Sequence, residues 1–361
     1  MSKFLAPIGA ALVLAGTISA APASANSQDV TLAVTMTNDP ASNAIQVLDA
    51  RTHASLQTLS TQGEGGVAGN ARGVKQYRGE IVAVVNNGSN TVAVFRRHQN
   101  GLKFEQLVAT TSAPVSIDFG NDHMYVAGAT TVDSFVLHDN RVGGLDGTTS
   151  LELVGGGVPP NGSTAQVGVV DEHELLVTLK TDPTPGTVDV VALDHGAVIG
   201  AAPTVVSPPA GTLTPFGFSV YPDGTALITL AHSSQDGLFR NRAFTSVIAA
   251  GQTAPCWMTR VGKYVFTANT GSQTISRLVG TGNNVFVDGL VAALIASGGA
   301  PSDIDADGGV LGVIDHTTGQ SHLTLFTYDM FGELTTTGPF LALGVPNANG
   351  IAIVPPAKDR E

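Results

Sequence analysis

From Thr31 onward the chain alternates short apolar runs with polar, glycine-rich turns, and after residue 25 no segment sustains a 3.6-residue apolar period. The stretch YVFTANTGSQTISRL, residues 264–278, reads as a strand, a tight polar turn and a second strand. IVAVVNNGSNTVAVF, residues 81–95, aligns with it without gaps. Asn269 falls on Asn86, Gly271 on Gly88, Ser272 on Ser89 and Thr274 on Thr91. Degenerate versions at 32–49, 123–139, 174–194, 225–249 and 309–329 bring the count to seven hairpins.

The hairpins alternate with short strands approached through a small-residue or proline turn: GNARGV, APVSID, STAQVG, TPFGFS, APCWMT, APSDID and PNANGIAI. Aligning these lead-ins places Arg72, Ser116, Gln166, Gly217, Trp257, Asp303 and Asn349 at one position, separated by 44, 50, 51, 40, 46 and 46 residues. Such spacing, with three to four strands per unit, predicts propeller blades. The first hairpin has no lead-in strand, and the last lead-in strand, 350–354, has no hairpin. The two predict one blade built from both chain ends. The expected fold is therefore all-β: a seven-bladed propeller of four-stranded antiparallel blades over 26–356, with a short tail at 357–361.

Composition supports strands, because Val, Thr and 43 glycines dominate while charged residues make up only 13%. The first 25 residues differ: Lys3, an apolar run from Phe4 to Ala21, and Ala23-Ser24-Ala25 predict a signal peptide and a secreted or periplasmic protein. No other segment has the long apolar run of a membrane helix. A net charge of −12 without basic runs argues against nucleic acid or anionic lipid as partner. The single cysteine, Cys256, excludes an internal disulfide, and with no adjacent basic residue it reads as a buried, inert thiol. Asn87-Gly88-Ser89 and Asn161-Gly162-Ser163 match the glycosylation pattern, which matters only in a eukaryotic secretory route.

In a propeller the innermost strands line the central channel, and the lead-in turns share one face with the loops between second and third strands. This geometry predicts a mouth. The lead-ins bring Arg72, Ser116, Gln166, Trp257, Asp303 and Asn349; the loops bring Asn38, Asp39, Asn86, Asn87, Lys180, His232, Asn269, Asp315 and His316. A carboxylate beside a histidine can activate water, and an arginine can grip a carboxylate with two hydrogen bonds. His232, His316, Asp303 and Arg72 are thus the candidate catalytic set. Trp257, Asn269, Gln166, Asn349, Asn87 and Lys180 are the candidate substrate-binding set. The same residue types also start turns by capping their own backbone, so a structural reading stands beside the functional one.

Other motifs are weaker. DIDADGG, 303–309, begins like a calcium loop, but the twelfth position is Ile314 where a bidentate Glu is required, so it reads as a turn between strands. GEGGVAG, 63–69, has no helix to follow and predicts no nucleotide site. With no nucleophile elbow, metalloprotease motif, cysteine cluster or P-loop, neither cofactor nor metal is expected.

YVFTANTGSQTISRL, APCWM and APSDID resemble the repeats of the lactonase-type seven-bladed propellers, the family of 6-phosphogluconolactonase and carboxymuconate cyclase. The resemblance covers essentially the whole chain after residue 25 and implies a lactone or cyclic acid opened or isomerised at the mouth. The family's hydrolytic members usually carry a Gly-Pro-Arg-His lead-in. Here the comparable lead-ins are Ala113-Pro114-Val115-Ser116 and Thr214-Pro215-Phe216-Gly217, with neither Arg nor His. Two functions follow as expectations. One is a lactonase-like enzyme acting on a small carboxylate or lactone, with His232 or His316 as base. The other is a non-catalytic module binding an extracellular protein or glycan. A monomer is expected in either case.

Overall fold

The computed structural model describes residues 30–151, 163–180, 185–282 and 284–356. The segments expected as signal peptide and C-terminal tail, and Asn161-Gly162 of the second glycosylation pattern, lie outside them. Seven antiparallel sheets follow one another around a central axis. Blade 1 holds Val74–Tyr77, Ile81–Asn86, Thr91–His98 and Gly101–Ala109; blade 2 holds Pro114–Gly120, His123–Gly128, Thr131–His138 and Arg141–Ser150. Blade 3 holds Thr164–Val169, Glu174–Leu179 and Thr187–Asp194, with Ala197–Val198 and Thr204–Val206 both on the third strand. Blade 4 holds Pro215–Val220, Ala226–Leu230, Gln235–Arg240 and Ala243–Ala249; blade 5 holds Pro255–Val261, Tyr264–Asn269, Thr274–Thr281 and Asn284–Leu294. Blade 6 holds Ala300–Asp307, Val310–Thr317 and Gln320–Tyr328, edged by Leu334–Thr336 and Leu341–Ala342.

Blade 7 joins the two ends of the chain. Asn349–Val354 is its inner strand, and Leu32–Met36, Ala44–Asp49 and Ser55–Ser60 follow outward. The register runs from Leu32 opposite Val354 to Met36 opposite Asn349. Hydrogen bonds thus close the ring where the seven repeats required it.

Within each blade the middle strands are buried on both faces, as in Ile81–Asn86 and Leu32–Met36. This is why they read as near-continuous Val, Ile and Ala rather than as strict alternation. Their side chains fill the layers between neighbouring blades, where β-branched groups suit a pleated surface. The Asp307-Gly308 turn falls between first and second strands, with Gly308 and Gly309 at positive φ (54° and 83°).

One alignment needs correction. Most inner strands begin with a bulge: Pro255 pairs with Asn269, then Trp257 with Ala268, and Pro114 pairs with Gly128, then Ser116 with Ala127. Gln166 and Asp303 occupy the same place after the bulge. In blade 7 it is Ile351 that does so, opposite Thr35, and Asn349 sits two residues earlier. In blade 1 Val74 pairs with Val84 and Gly73 accepts from the Val85 N–H, so Arg72 sits one residue early. The lead-ins differ in length, and a shift by one residue changes what a side chain faces.

Candidate functional site

The repeated hairpin is a docking device. In blade 1 the Ser89 hydroxyl accepts the Glu64 N–H (3.0 Å), and in blade 5 Ser272 accepts that of Thr253 (2.7 Å). The Gly88 and Gly271 N–H groups donate back to the carbonyls of Glu64 and Thr253. Blade 4 repeats the contact between Ser233 and Leu213 (2.9 Å). Each hairpin tip thereby fastens the segment leading into its own blade. Asn269 donates to Thr274 (3.1 Å) and Ser276 (2.8 Å), bracing the hairpin from within. Asn87 donates to the Pro114 carbonyl (3.0 Å), and Thr270 does the same for Pro301, so both tie one blade to the next lead-in.

Inner strands are joined by side chains. Gln166 bonds Phe218 twice, through Nε2 to its carbonyl (2.8 Å) and from its N–H to Oε1 (3.0 Å). Ser116 and Asp118 accept the N–H groups of Val167 and Val169. Asp303 accepts from Ile304 (2.9 Å), Ile351 (3.3 Å) and Arg72 (3.3 Å), clasping blades 6, 7 and 1. Asp303 is 2% exposed, and burial outweighs these donors, pushing its carboxyl up to about 7.

Over this ring of clasps lies the segment 62–73, which leaves blade 7 and crosses the mouth before reaching blade 1. Trp257 Nε1 of blade 5 donates to the Asn70 carbonyl (2.8 Å), and Ala71 N–H donates to Ala165 of blade 3 (2.9 Å). Asn70 Nδ2 reaches the Val115 carbonyl of blade 2 (2.7 Å). Asn349 Nδ2 donates to Asn70 Oδ1 (2.8 Å), and Asn38 holds Val67. Lys180 of blade 3 extends its ammonium to the carbonyls of Ala68 and Gly69, above the Phe216 ring. Burial lowers the Lys180 amine to about 8. Gly66, at φ 97°, provides a backbone shape that side-chain-bearing residues avoid.

Arg72 closes the segment from below. Its backbone is left-handed (φ 58°), and its guanidinium runs down the channel to Asp118 (3.3 Å) and the Phe218 carbonyl (3.4 Å). Among the described residues the segment therefore contacts every other blade, blade 4 through Phe218. Its trace in the sequence is the glycine density of GEGGVAG, residues 63–69.

Beside this segment a cavity of about 690 Å³ opens at the mouth toward blades 6 and 7. Its lining includes Trp257, His316, Asn349, Asn38, Asn347 and the backbone of Gly66 and Gly69. Of the ten candidate site residues, Trp257, His316 and Asn349 meet here. His316 Nδ1 faces the Ser321 hydroxyl (3.0 Å), and burial lowers its proton affinity against the opposing pull of Asp315 and the Pro346 backbone. Asp315 faces Ser297 and His322 instead. His232 stands two blades away at the tip of blade 4, exposed and bonded to Thr214 (2.9 Å). Neither Arg72, Asp303 nor Lys180 lines the cavity. Cys256 is half-buried and unpaired, its thiol pushed up by burial.

No three carboxylate, histidine or cysteine groups among the described residues gather as metal ligands. No helix among them is long and apolar enough to cross a membrane.

No family model and no curated protein matches the sequence. The fold, in contrast, has many relatives of known structure. The periplasmic gluconolactonase of Pseudomonas aeruginosa is similar at a TM-score of 0.64 and 14% identity, over 90% of this chain and 99% of that one. A 6-phosphogluconolactonase candidate from Bacteroides fragilis is similar at 0.62 and 14%, over 92% and 100%. A catalytically inactive virginiamycin B lyase from Staphylococcus aureus reaches 0.55 and 14%, over 79% and 92%. At such identity the likeness is one of fold. The chain has the seven-bladed architecture of the lactonase-type propellers, as its repeats implied.

Proposed function

We propose that this is an exported, lactonase-like propeller that binds an uncharged, hydroxyl-rich ligand, such as a sugar or sugar lactone, without hydrolysing it. The observation that carries the reading is the segment 62–73 lying across the mouth. It separates the candidate acid–base groups: Asp303 below, His316 beside the cavity with Nδ1 held by Ser321, and His232 on a distant tip. The cavity lining has hydroxyl, amide and backbone groups but no carboxylate, guanidinium or ammonium, which favours a neutral ligand over a carboxylate. Trp257, His316 and Asn349 would bind it. Gln166, Asn87, Asn269 and Asp303 would serve the ring. The expected signal peptide supports export.

Calorimetric titration with neutral sugars, their lactones and the matching uronic acids, run beside a lactone hydrolysis assay, tests this. Binding of a neutral compound, weakened by Asn349→Ala and unaccompanied by turnover, is the expected result. Lactone turnover abolished by His316→Ala establishes the enzymatic reading instead, which the likeness to gluconolactonase favours.

A further inference from the structure

The rim of blade 5 differs from the rest of the circumference. Its outer strand, Asn284–Leu294, is 11 residues long, bulges between Gly289 and Ala293, and pairs with no further strand among the described residues. Phe286, Leu290, Val291 and Leu294 on it are 53, 50, 49 and 67% exposed. The adjoining loop of blade 6 adds Met330 and Phe331, at 82 and 62%. Arg277 welds the two parts together: Nη1 donates to the carbonyls of Phe331 (3.3 Å) and Gly332 (2.9 Å), while Nε bonds Asp288 (2.8 Å), two residues from Phe286.

At about 200 Å² for a large side chain, these six expose roughly 700 Å². That exceeds the ~300–600 Å² of the largest apolar patch on a typical monomer. It approaches the ~800 Å² that each partner contributes to a specific interface. The chain carries −12, which makes copies repel, and at this rim Arg277 offsets one of the two carboxylates it bonds, Asp288 and Glu333 (2.7 Å). Other long outer strands carry charges of both signs, Lys103 with Glu105 and Arg141 with Asp146, which deter edge pairing. In Asn284–Leu294 the stretch after Asp288 has neither charge nor proline.

We infer that the blade 5 rim is a homodimer interface, in which two copies apply Phe286, Leu290, Val291 and Leu294, with Met330 and Phe331, to each other about a two-fold axis. A two-fold contact needs only one self-complementary patch, and an apolar strip provides it. This replaces the expectation of a monomer.

Sedimentation equilibrium of the purified protein, over about two decades of concentration around 10 μM, tests the inference. The protein is expected to be a dimer whose thermal midpoint rises with concentration, and the double variant Leu290→Lys/Leu294→Lys a cooperatively folded monomer whose midpoint does not. Phe331→Asp, in a different element, should weaken association about tenfold. A wild-type protein that stays monomeric throughout, or substituted proteins that dimerise as tightly as wild type, overturn it.

Discussion

Trp257 of blade 5 donates its indole N–H to the carbonyl of Asn70, 2.8 Å away, on the segment that leads into blade 1. The two residues are 187 positions apart, and the bond spans the mouth of the ring. Trp257→Phe keeps the ring against Phe216 but leaves that buried carbonyl without its donor. The expected cost is about 1–2 kcal/mol. Hydrogen exchange should show faster exchange at Ala71, whose N–H bonds Ala165, and unchanged protection in blade 3. Equal exchange in variant and wild type would show that Trp257 does not hold the segment.

Ser89 and Ser272 do the same work in blades 1 and 5. Each alanine replacement should cost about 1 kcal/mol, because the N–H of Glu64 or Thr253 loses its acceptor. The sites share no partner, so the double variant should show the sum. Denaturant unfolding measures this, and strong coupling between the two would contradict independent docking.

Among the described residues neither carboxylate oxygen of Asp236 has a hydrogen-bond partner, and the residue is 1% exposed; burial pushes its carboxyl up to about 8. The folded protein therefore keeps this proton up to about pH 8, whereas the unfolded chain releases it near 4. Between those values the folded state binds more protons, so this group's contribution to stability falls as pH rises. Asp236→Asn should show a smaller loss of thermal midpoint than wild type between pH 5 and pH 8. Parallel pH profiles would show that Asp236 ionises without penalty in the fold.

His316 has the opposite sign. Burial lowers its proton affinity in the fold, so the unfolded chain binds the proton first as pH falls below about 6.5. Stability from this site should be complete above that pH and decline in acid. His316→Gln should flatten the decline between pH 7 and 5, measured by thermal melts. An unchanged decline would mean that His316 takes its proton with its bonds intact.

The ring closes through Asn349–Val354 pairing with Leu32–Met36. A chain ending at residue 345 leaves blade 7 without its inner strand and Asp305 without the Ile353 N–H, which it accepts at 2.9 Å. Circular dichroism should show loss of the cooperative transition, and a truncated protein with a wild-type midpoint would contradict closure by this strand.

The repeat in the sequence determined the fold, because each blade needs the same strands and turns at a similar spacing. Asn86, Gly88, Ser89 and Thr91 recur as Asn269, Gly271, Ser272 and Thr274 in blades 1 and 5, where the serine fastens the lead-in and the asparagine braces the hairpin. The spacing of the repeats fixed their number, and the unmatched ends fixed the closure. Function was less legible. Asp303, His232 and His316 are alike in the sequence as polar residues at turn positions, but their partners come from chain segments far away.

Only the tertiary structure decided what each of these residues faces. Arg72 and Asn349, aligned with the others by lead-in motif, fall one and two residues early because the bulges differ from blade to blade. The segment 62–73, a glycine-rich linker in one dimension, becomes the centre of the molecule because closing the ring brings seven blades around it. Local periodicity specifies strands and turns by repeating short-range interactions. A mouth is made of contacts between residues tens to hundreds of positions apart, and those exist only once the ring has closed.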